Sequence, residues 1–579
     1  MTGYEIRELP FTHDGISTGI QEISRFQDWP VVYTLGSGRQ VYVGESLHGA
    51  RRMRQHRESP AKQHLRTIRL ILDETFNKSA CLDLESTLIR WLDGDGYEVI
   101  NRNSGIVDSE YYQRPFYQQR FDEIFGQLRD LGVFQRSIRQ IENSDLFKLS
   151  PFKSLNTDQA SAVDAIMTGI VRDLEQGSGG LSVIQGEPGT GKTIVAIYLL
   201  KLLRDVAELP IDEEPDPDEM FSEHFQEETR ELLQELRIGL VVPQSSLRRT
   251  IQKVFSTIPS LRGVPVLTPF QVGEAEEDFD LLIVDEAHRL NQLSAQPHPT
   301  QTNRFKAITT ALFGELDPDK TQLDWIRARS RMTLIMLDTQ QSVRPSDIPT
   351  AELKAVAAAA EADGRRYPLR TQMRAAGGSD YIRYIRQLLS ANPPQTRLDF
   401  GDYEFAMFDD LGRMLTRIRE QEAEHSLARL VAGFAWPWVS RSKDRQKKGW
   451  APYDIEIDGL RLPWNRRPTD WINSATSAEE VGSIHTVQGY DLNYTGVIIG
   501  PDLRFDPVGQ RLVVDRAHYF DAVGKRSNGM RGQITTDEDL LRYITNVYSV
   551  LMTRGMRGTY LYVCDPALRQ RLSRFVPSA

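Results

Sequence analysis

The sequence predicts an α/β protein in which a small α/β domain precedes two lobes, each built on a doubly wound parallel sheet. Three observations support this fold class. An apolar run at 181–184 leads into a glycine-rich loop and an apolar helix at 194–203. A second apolar strand, at 280–284, also ends in a polar loop, which is typical of parallel sheets. Near the amino terminus, two β-rich runs at 31–35 and 40–44 are separated by a short Gly/Ser turn, which indicates a hairpin.

The length of the chain requires more than one hydrophobic core. A chain of 579 residues exceeds the roughly 250–300 residues at which single cores stop growing. We therefore expect a small α/β domain at 1–110, a helical connector at 111–150, a first lobe at 151–345 with an acidic insertion at about 207–236, and a second lobe at 346–579.

Composition excludes several classes of protein. Hydrophobic residues make up 40% and charged residues 26%, which is ordinary for a globular protein. The net charge of -10 does not by itself indicate nucleic-acid binding, although local patches decide such binding. The two cysteines, Cys81 and Cys564, lie far apart, which excludes a disulfide framework. No apolar run reaches the roughly 18 residues of a membrane span and the start is not a signal peptide, so we expect a cytoplasmic protein without a membrane partner.

Two helices are predicted after the amino-terminal hairpin. The first, at 49–57, places Arg52 and His56 on one face because they are four residues apart. The second, at 82–92, carries Glu85. Hydrolysis of a phosphodiester needs a cation at the phosphate, a positioned water and a group that neutralises the leaving oxygen. These residue types suit that chemistry. The alternative is a small domain with tyrosines in its core and a solvated Arg-rich helix.

The order of these elements resembles a GIY-YIG nuclease domain, with VVY in place of the first motif, then YVG, the basic helix and the Glu-bearing helix. The resemblance implies a metal-dependent endonuclease that uses Mg²⁺ or Mn²⁺. It implies that Glu85 holds the metal, Arg52 contacts the phosphate, Tyr33 and Tyr42 organise the attacking water, His56 assists, and Asn101 is the closing asparagine, with Asn103 as the alternative. A domain that only binds nucleic acid stays open.

The connector is rich in aromatic, Gln and Arg residues, and a helix is predicted at 117–131. Interleaved arginines and aromatic rings can stack on bases. We prefer an amphipathic helix packed on a neighbouring domain, since that is the commoner role of such a segment. The connector is also the expected place for a hinge.

The glycine-rich loop matches the phosphate-binding pattern G-x-x-x-x-G-K-[ST] and stands between a strand and a helix, as the motif requires. Its backbone N–H groups and the start of the helix favour the β- and γ-phosphates, Lys192 adds a positive charge, and Thr193 can ligate Mg²⁺. The predicted nucleotide-binding residues are Gly186, Glu187, Pro188, Gly189, Thr190, Gly191, Lys192 and Thr193.

Other residues of the first lobe suit the same nucleotide. Gln159 can pair with an adenine edge. Two adjacent carboxylates follow the strand at 280–284, and we expect Asp285 to hold Mg²⁺ through water and Glu286 to polarise the attacking water. Gln341 can sense the γ-phosphate. Polar loops within 238–247 and 264–270, the second with the ring of Phe270, can hold a single nucleic-acid strand.

The second lobe supplies cations and aromatic rings. Arg374 and Arg554 are candidates to neutralise charge on the γ-phosphate during hydrolysis. The stretch FAWPW at 434–438 is followed by a basic run at 441–448. Basic residues among aromatic rings suit single-stranded nucleic acid, but tryptophan is equally an ordinary core residue.

The ordered motifs at 155–563 resemble those of a superfamily 1 helicase, and their residue sequences resemble the Schlafen-type DNA/RNA helicase domain. The resemblance implies two RecA-like lobes that bind ATP and Mg²⁺, with Gln488 of the motif TVQG also at the nucleotide. It implies an ATP-dependent helicase or translocase fused to the nuclease, with a role in defence against phage or foreign DNA. The expected partner is nucleic acid, DNA rather than RNA, although the sequence itself leaves this choice open. The alternative is an ATP-gated nucleic-acid sensor without processive unwinding, whose output is cleavage or recruitment of a partner.

Overall fold

The computed structural model describes residues 3–101, 111–153, 155–209, 220–295, 299–338, 341–373, 375–441, 453–467, 471–487 and 490–579. The chain forms two compact units. The first comprises Met1–Glu175, Thr193–Glu235 and Thr250–Val264, and the second comprises Gln176–Lys192, Leu236–Arg249 and Pro265–Ala579. Among the predicted site residues, Asn103, Arg374 and Gln488 lie outside the described residues.

The first unit contains a mixed five-stranded sheet of order β1-β4-β2-β3-β5. Its strands are β1 (Tyr4–Pro10), β2 (Val31–Ser37), β3 (Gln40–Ser46), β4 (Thr67–Asp73) and β5 (Glu98–Val99). β2 and β3 form the hairpin that the sequence predicts. Gly38 in its turn has a φ of 60°, a conformation that glycine adopts without steric cost.

Helices cover both faces of this sheet. They are α1 (His13–Glu22), α2 (Gly49–Glu58), α3 (Lys78–Gly94), α4 (Arg114–Asp130), α5 (Ile138–Glu142) and α6 (Asp145–Lys148). α7 (Thr157–Glu175) follows them in the chain. Val32 belongs to a core shared with α3 and α4, whereas its neighbours Val31 and Tyr33 belong to a core shared with α1 and α2. Successive residues of a strand point to opposite faces, which explains why β2 is buried along nearly its whole length.

The expected connector packs into the core of the first unit. α4 buries Tyr117, Phe121 and Phe125 among apolar residues of α3 and the sheet. Trp91 of α3 lies edge-on to Phe125, with ring centroids 5.1 Å apart. The four-residue spacing puts the three side chains of α4 on one face. The preferred prediction of a packed amphipathic helix is therefore confirmed, and α4 shares its core with the amino-terminal sheet. A hinge in the connector stays a prediction.

Three further helices follow, α8 (Lys192–Glu208), α9 (Glu227–Gln234) and α10 (Ser245–Thr257). α9 lies in the expected acidic insertion, of which residues 210–219 are outside the described ranges. The described part of the insertion is anchored within the first unit. His224 bonds Asp164 of α7 at 2.8 Å, and the ring of Phe221 contacts Tyr198 of α8 at 5.9 Å.

The second unit contains two parallel sheets. The first has the order β11-β6-β10-β9-β7-β8 and is formed by β6 (Gly180–Gly186), β7 (Ile238–Val241), β8 (Val266–Leu267), β9 (Phe279–Val284), β10 (Ser330–Leu337) and β11 (Arg366–Leu369). The expected end of the first lobe at residue 345 is too early. β11 pairs in parallel with β6, so this sheet continues to Leu369.

The second parallel sheet has the order β12-β20-β17-β13-β16. Its strands are β12 (Glu404–Phe408), β13 (Ala428–Ala432), β16 (Val481–Ser483), β17 (Leu492–Ile499) and β20 (Gly555–Val563). Two antiparallel hairpins lie in the connections between these strands. They pair β14 (Ile455–Ile457) with β15 (Leu460–Leu462), and β18 (Leu503–Asp506) with β19 (Arg511–Val514). Two parallel sheets with α/β connections confirm the α/β fold class.

The remaining helices of the second unit are α11 (Pro269–Gly273), α12 (Pro299–Phe313), α13 (Gln322–Ala328), α14 (Thr350–Ala362), α15 (Gly378–Leu388), α16 (Leu411–His425), α17 (Ile484–Val487), α18 (Asp537–Met552) and α19 (Pro566–Leu572). Among the helices in the described ranges, none combines the length and apolar character that crossing a membrane demands.

Candidate functional site

The phosphate-binding loop has the backbone that its glycines allow. Gly189 and Gly191 have φ of 84° and 79°, in the region that favours glycine. A Cβ at Gly186 would collide with the hydroxyl of Thr190. The loop is therefore a tight cradle lined by backbone, as close approach to phosphates requires. Thr193, the expected Mg²⁺ ligand, follows Lys192 in the first turn of α8.

Lys192 is buried and points back into this loop. Its Nζ donates hydrogen bonds to the carbonyl oxygens of Gly186 at 2.7 Å and Glu187 at 2.9 Å. The hydroxyl of Thr190 donates to the same Glu187 oxygen at 3.0 Å. An ammonium has three donors, so a phosphate oxygen can replace a carbonyl as its acceptor. The donor set of the loop fits a nucleotide phosphate.

Asp285 and Glu286 stand where β9 ends. Asp285 is buried and accepts a hydrogen bond from the Glu286 N–H at 2.9 Å. Burial alone would raise the pKa of Glu286, but the nearby charges of His288, Lys192 and Arg554 outweigh it and hold this pKa well below its usual range. Glu286 Oε2 lies 2.9 Å from His288 Nε2. Glu286 is therefore an ionised carboxylate next to two of the predicted cationic residues.

Arg554 and Gln341 are two further predicted site residues that the structure describes. Arg554 is buried and donates a hydrogen bond to the carbonyl oxygen of Tyr490 at 3.4 Å. Its positive charge lowers the pKa of Glu286. Gln341 donates from Nε2 to Asp338 Oδ2 at 2.8 Å. Its Oε1 is buried and has no hydrogen-bond partner among the described residues, so this atom can accept a bond from a ligand.

Gln159 lies in the first unit and makes reciprocal bonds with Asn156. Its Oε1 accepts from the Asn156 N–H at 3.1 Å, while its own N–H donates to Asn156 Oδ1 at 2.9 Å. These bonds satisfy backbone groups at the start of α7. The contact of Gln159 with adenine stays a prediction.

Three residues that sequence reasoning missed also contact the phosphate-binding loop. Gln372 Nε2 donates to the carbonyl oxygen of Pro188, and the Met373 N–H donates to Gly189 O at 2.9 Å. Arg386 of α15 forms an ion pair with Glu187. Residues 372–373 adjoin the predicted Arg374, but Arg386 belongs to no motif, and only the packing of α15 brings it to the loop.

A groove of about 710 Å³ in the second unit collects the loops expected to hold nucleic acid. It is lined from the first-sheet side by Pro243, Gln244, Ser245, Arg248, Thr268, Pro269 and Phe270, and from the second-sheet side by Phe434, Trp436, Trp438, Ser483, His485, Thr486 and Phe520. The sequence named both first-sheet loops and the FAWPW stretch separately. The structure brings them together in one groove.

Aromatic side chains in the groove are partly engaged in packing. Phe434 lies edge-on to Trp464, with centroids 5.6 Å apart, and contacts the His485 ring at 5.2 Å. Trp436 and Trp438 are partly exposed and line the groove. Exposed ring faces stack on bases irrespective of sequence. Residues 442–450, which hold the remainder of the basic run and Trp450, lie outside the described residues.

Charges in the groove are mostly paired. Arg344 lies 2.5 Å from His485 Nε2 and 3.5 Å from Asp521, and Arg289 lies 3.6 Å from Asp347. Burial, followed by the charge of Arg344, lowers the pKa of His485 to about 4, although Asp521 opposes this. His485 is therefore neutral at physiological pH. Its contact with Arg344 links the start of α17 to the segment that follows Gln341.

The chain matches the model of a known family over residues 180–565, described as Schlafen group 3, DNA/RNA helicase domain. That region covers most of the chain and contains the phosphate-binding loop, Asp285, Glu286, Arg554 and the groove. The chain belongs to the Schlafen group 3 DNA/RNA helicase family.

Two other comparisons accompany this Schlafen group 3 match. The uncharacterized Saccharomyces cerevisiae protein YPL245W is 27% identical over 424 residues, which cover 68% of this chain and 83% of the yeast protein. A solved structure of Mss116p bound to single-stranded RNA and AMP-PNP is 13% identical and covers 72% of this chain and 75% of that one, with a TM-score of 0.30. The latter similarity is too weak to support an argument.

The Schlafen group 3 match begins at residue 180 and so gives no support to the GIY-YIG resemblance of residues 1–110. The structure nevertheless brings most of the residues of that resemblance together. Tyr33 of β2 and His56 of α2 are both buried, and Tyr33 Oη lies 2.8 Å from His56 Nε2. The ring of Tyr42 lies 6.3 Å from that of Tyr33 and 4.9 Å from that of His56.

Arg52, Glu85 and Asn101 are the other residues of this resemblance that the structure describes. Burial and the neighbouring Tyr42 raise the pKa of Tyr33 well above its usual value, while the charge of Arg52 lowers it and that of Glu85 raises it. Both charged groups therefore lie near the Tyr33 phenol. Asn101 brackets Val43, because its Oδ1 accepts from the Val43 N–H at 2.9 Å and its Nδ2 donates to Val43 O at 2.7 Å. It fixes the strand that carries Tyr42.

The packing around Gly44 explains why the YVG motif ends in glycine. It lies opposite Tyr33 in the β2–β3 register, and a Cβ there would collide with the Tyr33 phenol. Glycine thus opens the space in which the phenol meets His56. This is a steric requirement of the hairpin that the YVG motif encodes.

Two residues of this amino-terminal group were missed by sequence reasoning. Lys62, in the turn after α2, lies 3.1 Å from His56 Nδ1 and 3.7 Å from the centroid of the Tyr42 ring. The charges of Glu45, directly after Gly44, and of Glu85 both raise the pKa of Cys81. Glu45 also has a buried Oε2 without a hydrogen-bond partner among the described residues. This buried oxygen is a donor of the kind that a divalent cation prefers, while Oε1 of the same carboxylate forms an ion pair with Lys78.

Proposed function

We propose that this protein is an ATP-dependent helicase or translocase that acts on single-stranded nucleic acid and is fused to a metal-dependent GIY-YIG-type endonuclease. The observation that carries the proposal is the groove of about 710 Å³, which gathers polar loops and aromatic rings in the same unit as the phosphate-binding loop. A nucleotide site and a groove on one pair of sheets suit conversion of ATP hydrolysis into movement along a strand.

For hydrolysis, Glu286 orients the water that attacks the γ-phosphorus, and Lys192 and Arg554 neutralise the negative charge that develops. Mg²⁺, when bound, neutralises phosphate charge, and Thr193 and Asp285 are the residues that would hold it. Support comes from the ionised state of Glu286 and from the charges of Lys192 and Arg554 beside it. Arg374 and Gln488 keep their expected roles as predictions.

For strand binding, Trp436, Trp438 and Phe270 offer ring faces to bases, and polar groups of the groove bond the phosphodiester backbone. Stacking on bases and bonding to phosphates do not distinguish DNA from RNA, because neither contact reads the sugar. We propose DNA as the preferred substrate, with RNA as the other outcome of the test.

For cleavage, a water oxygen bonds to phosphorus while the bond from phosphorus to the leaving oxygen breaks, and that oxygen takes up a proton. Arg52 stabilises the charge on the phosphate, Glu85 would hold the divalent metal, and Tyr33 and Tyr42 organise the water. The proposal is supported by the direct contacts among Tyr33, Tyr42 and His56. A role in defence against phage or foreign DNA, and a cytoplasmic location, stay predictions.

The experiment is to incubate the purified chain with ATP and Mg²⁺ and with single-stranded, duplex and forked DNA and RNA, and to measure ATP turnover, strand displacement and cleavage. We expect single strands to stimulate turnover, forked substrates to be displaced, and products to appear with Mg²⁺ or Mn²⁺. Absence of stimulation by every nucleic acid would contradict the helicase proposal.

One observation favours a second candidate, an ATP-gated sensor whose sheets close on nucleic acid without processive unwinding. A loop that contains Asn528 and Arg531, which we call the clasp, forms hydrogen bonds with residues on the first-sheet side of the second unit. Arg531 bonds Gln292, Asp319 at 3.0 Å and Glu352 at 3.2 Å, and Asn528 Nδ2 donates to Leu293 O at 2.9 Å.

Such a clasp stabilises one arrangement of the two sheets, which suits a switch between two states better than rapid cycling. ATP turnover without strand displacement would favour the sensor. An Arg531→Ala variant that gains displacement activity would show that the clasp restrains a helicase.

A further inference from the structure

Lys62 touches the amino-terminal cluster from the side opposite Tyr33. Its Nζ lies 3.1 Å from His56 Nδ1, while the other ring nitrogen, Nε2, lies 2.8 Å from Tyr33 Oη. Lys62 is half-buried, and its ammonium also lies 3.7 Å from the centre of the Tyr42 ring, a favourable cation–π contact. The imidazole is therefore held between a lysine and a phenol.

The chemistry of these groups determines where the proton of His56 resides. An ammonium has three donors and no acceptor, so Nδ1 must accept from Lys62. A neutral imidazole with an accepting Nδ1 carries its proton on Nε2, and Nε2 then donates to Tyr33. We propose that Lys62 is a positioning residue that fixes neutral His56 in the Nε2–H tautomer, so that His56 donates a hydrogen bond to Tyr33 and cannot take a proton from it.

The surroundings of His56 keep the ring neutral. His56 is 4% exposed, and burial, followed by the charges of Lys62 and Arg52, lowers its pKa to about 2. The groups that face it are Lys62 from the turn after α2, Arg52 from its own helix, Tyr33 from β2 and Tyr42 from β3. Burial and the two cations therefore favour the uncharged ring.

The turn that carries Lys62 is ordered by its own backbone. The Lys62 N–H donates to Ser59 O at 3.0 Å, and the Leu65 N–H donates to Lys62 O at 3.1 Å. Because both ends of the contact are fixed, the Lys62–His56 bond holds one tautomer with little loss of side-chain freedom.

This inference deepens the proposed nuclease and rests on it for its catalytic consequence. With Nε2–H aimed at Tyr33, the phenol oxygen accepts this bond, and the hydrogen of the phenol points away from His56. His56 would then orient Tyr33 and would not act through it as the base. A proton lost by the attacking water must go to another acceptor.

Nitrogen-15 NMR of the full chain with labelled histidine tests the tautomer without depending on cleavage. The signals of His56 are assigned with His56→Gln. We expect an unprotonated Nδ1 and a protonated Nε2 in the native chain and in Lys62→Arg. In Lys62→Met we expect the proton to move toward Nδ1. A native His56 protonated on Nδ1, or a Lys62→Met spectrum unchanged from the native one, overturns the proposal.

Cleavage measurements supply the second arm. Lys62→Met should cleave about tenfold more slowly, as expected for loss of one oriented hydrogen bond, and Lys62→Arg should recover most of the rate. Arg54→Met, which removes an exposed charge from α2, is the matched control. Unchanged melting temperatures establish that the variants fold. If the native chain fails to cleave at all, the nuclease assignment falls while the tautomer remains decided by NMR. If it cleaves and Lys62→Met cleaves equally well, the positioning role falls.

Discussion

The amino-terminal cluster and the nucleotide site are assembled in different ways. Tyr33, Tyr42 and His56 come from a hairpin and the next helix, and their side chains touch one another directly. Lys192 and Arg554 come from distant parts of the chain, and Lys192 is bonded to its own loop. The comparison teaches that the first site is preorganised by local packing, whereas the second must exchange internal bonds for bonds to its ligand.

The largest expected effect concerns the nucleotide site. Lys192→Ala should reduce ATP turnover at least about 100-fold, because it removes the cation that meets developing phosphate charge. Turnover is measured by phosphate release with saturating single-stranded DNA. Lys253→Ala, an exposed change on α10, is the control. Unchanged turnover in Lys192→Ala would mean that the loop does not bind the nucleotide.

The next effect isolates the amino-terminal cluster. Glu85→Ala should lower Mg²⁺-dependent cleavage about 100-fold, because loss of metal-held charge stabilisation costs several kcal/mol. ATP turnover of the same variant should stay native. Glu74→Ala removes an exposed carboxylate before the same helix and serves as the control. Equal cutting by Glu85→Ala and the native chain would remove the nuclease assignment.

A smaller effect is expected in the groove. Trp438→Ala should weaken binding of a single-stranded oligonucleotide about tenfold, since stacking on one ring contributes roughly 1–3 kcal/mol. Fluorescence anisotropy at fixed salt measures the affinity. Tyr112→Ala removes an exposed ring outside the groove and should bind as the native chain does. Equal affinities for both variants would place the strand elsewhere.

The smallest expected effect is on stability. Burial raises the pKa of Asp502 to about 7, although a bond from the Tyr548 hydroxyl at 2.6 Å opposes this. The folded state therefore binds a proton more readily than the unfolded state between about pH 4 and 7, and stability falls as pH rises through that range. Asp502→Asn keeps an acceptor for Tyr548 and should flatten this dependence in denaturant titrations. Asp402→Asn, an exposed change, should leave the slope as it is.

Motifs located Lys192, Glu286 and Arg554 because phosphate chemistry demands those residue types beside particular strands. The hairpin and its following helix were predictable because period-two and four-residue spacing are local properties. Arg386 could not be predicted, since only the packing of α15 brings it to Glu187. The extent of the first parallel sheet was missed for the same reason, because pairing of β11 with β6 joins residues far apart in the chain.

The sequence by itself determined the α/β class, the phosphate-binding loop and the order of the helicase motifs, because these depend on neighbouring residues. Tertiary structure alone decided three features: the single groove that unites separate loops with FAWPW, the packing of α4 into the amino-terminal core, and the contact of Lys62 with His56. Each of these joins side chains through space, and burial and hydrogen bonding between distant segments leave no periodic trace in the chain.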